Sequence, residues 1–356
     1  MRPESLQFLK DLIDTPSPAG GEYLGQKLWL DYVRPWADEV RTDAYGNALA
    51  ILNPAGRPKI LVCGHVDEIG FQVQYVDEEG FIYFQPVGGS DPALARGQRV
   101  YIHHDGEEVL GVIGSLAIHM QERDKKPEIP QWHELFIDIG ARNRQEALQR
   151  IRIGDLITYV DRFEPLTGDI WVGRACDNRV GSFVAAEVLR LCMERRDSLW
   201  ACVVAASTIQ EENGLYGAKM IAYSVGPDAA IVIDVGHATD IPIANKKKFG
   251  EIRLGAGPIL SRGSANHPGL VERLQRIAEE HQIPFQWNVD PRRTGTDADA
   301  IFTERGGIPT VSIGIPNRYM HSPVEAVHLG DIERAAEWIQ AFLMALDPKT
   351  EFRVTL

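Results

Sequence analysis

Apolar residues at Leu6, Leu9, Leu12 and Ile13 recur at helical spacing and predict a helix over residues 5–14. The run Thr15-Pro16-Ser17-Pro18-Ala19-Gly20-Gly21 ends it, since its prolines and glycines break a helical pattern. A second helix is predicted from Glu22 to about Val33. Continuous apolar runs at 48–52 and 60–63 are too short for helices and read as strands, the second one buried. From Ile69 to about Phe163 the pattern changes to alternation, as in Phe71-Gln72-Val73-Gln74-Tyr75-Val76 and Val109-Leu110-Gly111-Val112-Ile113. Turn signals such as Asp77-Glu78-Glu79-Gly80 separate these runs, so this stretch is predicted to be an all-β insertion. Within it, the charged, proline-bearing segment 120–131 is predicted to be an exposed and mobile loop. Helical periodicity returns over Arg179–Met193, 268–281 and 329–345, with buried strands at 200–208, 229–233 and 310–315. Alternating helices and strands predict an α/β core with a mostly parallel sheet. The expected division is a core of residues 1–68 and 164–356 and a β-rich insertion, a barrel or a PDZ-like unit, at 69–163.

Composition narrows the setting. The chain has 356 residues, 44% of them hydrophobic, ample for a sizeable core. A net charge of -13 argues against nucleic acid or an anionic membrane as the main partner. The four cysteines, Cys63, Cys176, Cys192 and Cys202, form no Cys-x-x-Cys pair and sit among apolar neighbours, which reads as buried, reduced thiols. The N-terminal segment has no apolar signal core, and Leu199 to Ile209 is about half the length of a membrane helix. A cytoplasmic, soluble protein is therefore expected.

The chemistry lies at the ends of the strand-like runs. His65 and Asp67 follow Lys59-Ile60-Leu61-Val62-Cys63-Gly64, and Glu211-Glu212 follow Ala205-Ala206-Ser207-Thr208-Ile209-Gln210. Asp234 ends Ala230-Ile231-Val232-Ile233, and His321 comes shortly after 310–315. Open α/β sheets bind ligands beyond the carboxyl ends of their strands, so four elements can deliver side chains to one rim. Two histidines and several carboxylates are the ligand set for a pair of divalent metals. Each residue alone has a plainer reading. Asp177, in Cys176-Asp177-Asn178-Arg179, could simply cap the helix that follows. Jointly those readings are weak, because buried carboxylates need partners.

Five segments together resemble the glutamyl/deblocking aminopeptidase family, dinuclear-metal exopeptidases whose members often form tetrahedral dodecamers. They are Gly64-His65-Val66-Asp67-Glu68-Ile69-Gly70, Cys176-Asp177-Asn178-Arg179-Val180-Gly181, Ile209-Gln210-Glu211-Glu212-Asn213-Gly214-Leu215, Ile233-Asp234-Val235, and Arg318-Tyr319-Met320-His321-Ser322-Pro323-Val324-Glu325. The resemblance implies that His65 and Asp234 hold one metal, Glu212 and His321 the other, and that Asp177 bridges them. It implies Glu211 as general base and Asp67 as the residue orienting His65. Zinc suits such ligands, as do cobalt and manganese. Arg262, Gly295, Thr296 and Asp297 lie in segments that could line the substrate pocket. A peptide is the implied substrate. Self-association to dimers through the insertion, and on to dodecamers, is the implied assembly. The competing expectations are an N-acyl amino acid deacylase or deblocking hydrolase on the same metal site, and a non-catalytic oligomeric scaffold.

Overall fold

The computed structural model describes residues 1–120 and 128–354. Most of the segment predicted to be a mobile loop, residues 121–127, lies outside the described residues; Met120 and Ile129 at its margins are exposed. After helices Pro3–Asp14 and Tyr23–Val33 come three strands: β1 (Glu39–Thr42), β2 (Ala48–Leu52) and β3 (Lys59–His65). Six follow within the predicted insertion: β4 (Gly70–Val76), β5 (Ile82–Val87), β6 (Arg99–His104), β7 (Glu107–Ile113), β8 (Ile137–Asp138) and β9 (Leu156–Tyr159). The remainder are β10 (Glu164–Thr167), β11 (Ile170–Gly173), β12 (Cys202–Thr208), β13 (Ala229–His237), β14 (Ile259–Arg262), β15 (Gln286–Val289), β16 (Thr310–Arg318) and β17 (Glu325–His328).

The large sheet runs β1-β2-β12-β3-β13-β16-β17-β11-β10, with β14 and β15 attached beside β16. Its centre, β12-β3-β13-β16, is parallel, as the alternating pattern predicts. Its flanks are antiparallel: β2 against β12, β17 against β16 and β11 against β17. The sheet is thus mixed, because short links such as those joining β1 to β2 and β10 to β11 permit only antiparallel neighbours.

Helix Cys176–Met193 lies against this sheet and is buried around most of its circumference. It packs on helix Leu329–Met344 and on β3. Side chains such as Phe183, Val184 and Val188 each contribute about 1.5–3 kcal/mol by leaving water. Strand and helix meet closely at Gly64 and Gly181, where a Cβ on Gly64 would sit 2.4 Å from the Gly181 carbonyl carbon. That approach draws the helix N-terminus against the end of β3.

The insertion closes into a barrel in the order β4-β5-β8-β7-β6-β9. Phe71 and Val73 point inward; a register shift between Val73 and Tyr75 then turns Val76 inward and leaves Tyr75 exposed. Phe71 meets Phe84 edge-on at 4.9 Å and Tyr159 at 5.4 Å, filling the interior.

The chain's entry into the barrel is tied to the core by buried charge. Glu68, just before the barrel, pairs with Arg174, which directly follows β11 of the large sheet, and with Arg179 at 2.8 Å. Glu68 Oε1 also accepts the Ser17 amide at 2.9 Å. Arg174 donates to the Asp14 carbonyl at 2.7 Å, and Arg179 to those of Leu12 and Thr15. The helix-breaking loop after residue 14 is therefore held by the same cluster.

Candidate metal centre and substrate cavity

The two imidazoles face one carboxylate. His65 Nε2 lies 3.3 Å from Asp177 Oδ1, and His321 Nε2 lies 3.2 Å from Asp177 Oδ2. Around this axis the donor atoms form two groups, each with members within 4.8 Å of one another: His65, Glu211 and Asp234, and Asp177, Glu212 and His321. Each group is large enough to hold a cation, and Asp177 reaches both.

Local structure explains why Asp177 is free to do so. Asn178, not Asp177, caps the helix: its Oδ1 accepts the Gly181 amide at 3.0 Å, and its Nδ2 donates to the Ile233 carbonyl at 2.8 Å. Asp177 keeps extended backbone angles, and its own amide donates to Glu325 Oε2 at 2.8 Å. Glu325 Oε1 accepts the His321 amide, also at 2.8 Å. One buried carboxylate thus sets the backbone of two site residues.

Asp67 does the same for the glutamate pair. Its two oxygens accept the amides of Glu211 and Glu212, each at 3.1 Å. These glutamates lie just beyond β12, on a turn where Gln210 has φ +50°. The turn lets neighbouring residues send both carboxylates to the site, where a continuing strand would point them apart.

Both histidines are also oriented from behind. His65 Nδ1 is 3.1 Å from the Asp67 carbonyl, and His321 Nδ1 is 3.0 Å from the carbonyl of Gly89 in the barrel. A carbonyl only accepts, so each Nδ1 carries the proton and each Nε2 faces the carboxylates. A Cβ at Gly89 would press on His321 Nδ1 at 2.8 Å, so this approach needs glycine. Outward-facing Nε2 atoms beside carboxylates form a donor set that fits divalent cations.

Crowded charge shifts these groups. Burial pushes the Glu211 carboxyl up to about 10, with the His65 imidazole opposing and nearby carboxylates adding to the rise. Burial likewise raises Glu212 to about 8. The Asp177 hydrogen bond holds the His321 imidazole up near 10. Burial alone would raise Asp177, yet the two histidines hold it well below the carboxylate range.

The cluster opens into a cavity of about 940 Å³. Gly295 and Thr296 line it. Asp297 sits behind them, buried, with Oδ2 accepting the Thr208 hydroxyl at 2.6 Å. Arg262 does not line the cavity; it stacks on Trp287 at 4.3 Å and donates to Gln275 at 3.2 Å, while Trp287 forms the wall.

A family model described as M42 glutamyl aminopeptidase matches residues 46–338. The chain belongs to that family. A lysyl aminopeptidase from Pyrococcus furiosus is 31% identical over 346 residues, covering 96% of this chain and 97% of the relative. A solved TET aminopeptidase from a marine-sediment archaeon of the Thaumarchaeota is similar with a TM-score of 0.91 at 33% identity, over 97% and 98% of the two chains. The Pyrococcus horikoshii TET1 peptidase, which can assemble into a tetrahedron or a large octahedral shell, gives 0.86 at 29% identity, over 96% and 100%. As an M42 chain this protein is an aminopeptidase, and its clustered histidines and carboxylates suit divalent metal binding.

Three contributors to the M42 site escape a reading of the sequence. Glu325 stands inside a recognised segment, yet nothing in its spacing shows that it binds two amides. Asn178 is masked by Asp177, the equally good cap beside it. Gly89 contributes a backbone carbonyl from a distant strand end, which side-chain chemistry cannot signal.

Proposed function

We propose that this chain removes N-terminal residues from short peptides, using two divalent cations and Glu211 as general base. The observation that carries this reading is the Asp177 carboxylate, one oxygen toward His65 and the other toward His321. In this reading His65 and Asp234 would hold one cation, Glu212 and His321 the other, and Asp177 would serve both. Zinc is the first choice, with cobalt or manganese as alternatives. Bound cations would polarise the peptide carbonyl, acidify a water and bring the raised Glu211 pKa back down, favouring its ionised form.

The protein's own groups do the rest. Glu211 Oε2 is 3.7 Å from His65 Nε2, beside the ligands, and takes the proton from the attacking water. It then returns that proton to the leaving amine. Asp67 fixes the backbone of Glu211 and Glu212, so the base and its neighbouring ligand keep one relative position. Asp67 also sits 3.4 Å from His65 Nδ1, which supports the imidazole's orientation.

We further assign the catalytic role to residues 1–68 and 164–356, and dimerisation to the barrel-bearing segment 69–163. Similarity to the TET peptidases, one of them solved as a dodecamer, supports assembly of such dimers into a closed dodecamer. The four buried free thiols support a reducing, cytoplasmic setting. Among the described residues no helix is long and apolar enough to cross a membrane.

A panel of aminoacyl chromogenic amides tests the activity, with an N-acetylated control and zinc, cobalt or manganese added. Free-amino substrates are cleaved, a chelator abolishes turnover, and the acetylated compound is inert. Cleavage of the acetylated amide would instead indicate a deblocking or deacylase activity.

Metal loading also has an expected pH dependence. Glu212, Asp234 and His321 all hold protons more tightly than usual, and those protons compete with cations for the same atoms. Affinity therefore rises with pH, roughly tenfold per unit for each proton displaced. Competition titrations with a chromogenic chelator at pH 6, 7 and 8 measure it. An affinity that stays flat across this range would contradict the proton competition.

A further inference from the structure

The substrate cavity is acidic at its catalytic cluster but not along its whole wall. Lys246, Lys247 and Lys248 also line it, and among the described residues no other lysine or arginine does. They form the short helix Lys246–Phe249, on the segment that follows β13, the strand bearing Asp234. All three are exposed. A chain with a net charge of -13 therefore concentrates three cations at the mouth of this one cavity.

Their charge is poorly balanced locally. Lys246 Nζ pairs with Glu251 at 2.9 Å, but Glu251 also accepts from Arg253 at 3.0 Å. Lys248 Nζ rests 4.7 Å from the Phe249 ring centre. Among the described residues the Lys247 side chain has no ion pair or hydrogen bond; only its backbone amide is used, donating to Asn245 Oδ1. Adjacent like charges repel, so an arriving anion would relieve the cluster. A cavity near 940 Å³ also exceeds what one amino-acid residue fills, being at the upper end of the size that takes drug-sized ligands.

We propose that Lys246, Lys247 and Lys248 form a carboxylate-recognising rim that selects peptides by a negative charge they carry. The proposal rests on the aminopeptidase reading and deepens it. Two parts of a peptide supply this chemistry: an acidic first side chain, or the C-terminal carboxylate of a short chain. In either case the anion meets the lysines while the free amino end and the first peptide bond lie at the metal centre. The rim recognises charge rather than shape, because ammonium groups on flexible stems act as point charges.

The test compares matched substrates on the metal-loaded enzyme. One pair is a glutamyl and a glutaminyl p-nitroanilide, which differ only in the side-chain carboxylate. The other is a leucyl tripeptide as free acid and as amide, which differ only at the C-terminus. Lys247→Gln raises KM for the charged member of the responding pair about two- to fivefold relative to its neutral partner, the range of an exposed ion pair. The triple variant K246Q/K247Q/K248Q widens that ratio further, and Lys247→Arg restores it. Raising the salt shrinks the wild-type preference, since exposed charges are screened. Lys349→Gln, an exposed position remote in sequence from this segment, controls for lost net charge and leaves all four substrates unaffected.

A response in the anilide pair assigns the side chain, and a response in the tripeptide pair assigns the C-terminus. Charged and neutral members changing equally, or not at all, would overturn the rim. Failure of wild-type enzyme on all four free-amino substrates would remove the aminopeptidase reading, and the rim with it.

Discussion

Glu211→Gln will lower kcat by about a hundred- to ten-thousand-fold and leave the metal content intact. The substitution preserves shape and the amide that donates to Asp67, so the turn carrying residues 210–212 keeps its geometry. What it removes is a group able to take and return a proton. The structure makes this a sharp test, because Glu211 lies as close to His65 and Asp234 as a ligand would. Metal analysis alongside single-turnover kinetics separates the two roles. A variant that retains both equivalents but not turnover supports the base. Loss of one equivalent would make Glu211 a ligand and send the search for the base elsewhere.

The second large effect is on stability. Glu68→Ala will destabilise the protein by about 3–5 kcal/mol, because it leaves Arg174 and Arg179 buried without their counter-charge. Burial works against the Glu68 charge, but the two guanidinium groups outweigh it and hold the carboxyl below the usual glutamate range. Its contribution is therefore complete above the ordinary glutamate pKa and disappears as pH falls through the lowered value. Urea unfolding at pH 7, compared with unfolding at acidic pH, reads both parts. Wild type and variant should differ strongly at neutral pH and converge in acid. A difference that persists unchanged in acid would mean that packing, not charge, is what Glu68 supplies.

Much of this architecture is legible in the sequence, for reasons that differ by region. The central strands are visible because burial on both faces demands continuous apolar runs such as 60–63 and 229–233. The barrel is visible as a change to alternation, since one face of each strand is inside. Chemical residues at strand ends are visible because charge directly after an apolar run is costly without a partner. The antiparallel flanks are not, because pairing direction depends on which neighbour a strand finds, and local pattern is silent on that. Nor is the exchange of roles between Asp177 and Asn178, two residues with similar capping ability. Arg262 shows the opposite error. A cation in a plausible pocket segment turns out to stack on the outer side of Trp287, while the lysines that do line the cavity carry no motif.

The bond from His321 to the Gly89 carbonyl has a mechanical meaning beyond its chemistry. The chain enters the barrel directly after the Glu68 ion cluster, and the barrel meets the rest of the molecule again, across space, at this imidazole. A body pinned at two separate places cannot rock about one without breaking the other. A displacement of the barrel about its chain entry would therefore be felt at His321.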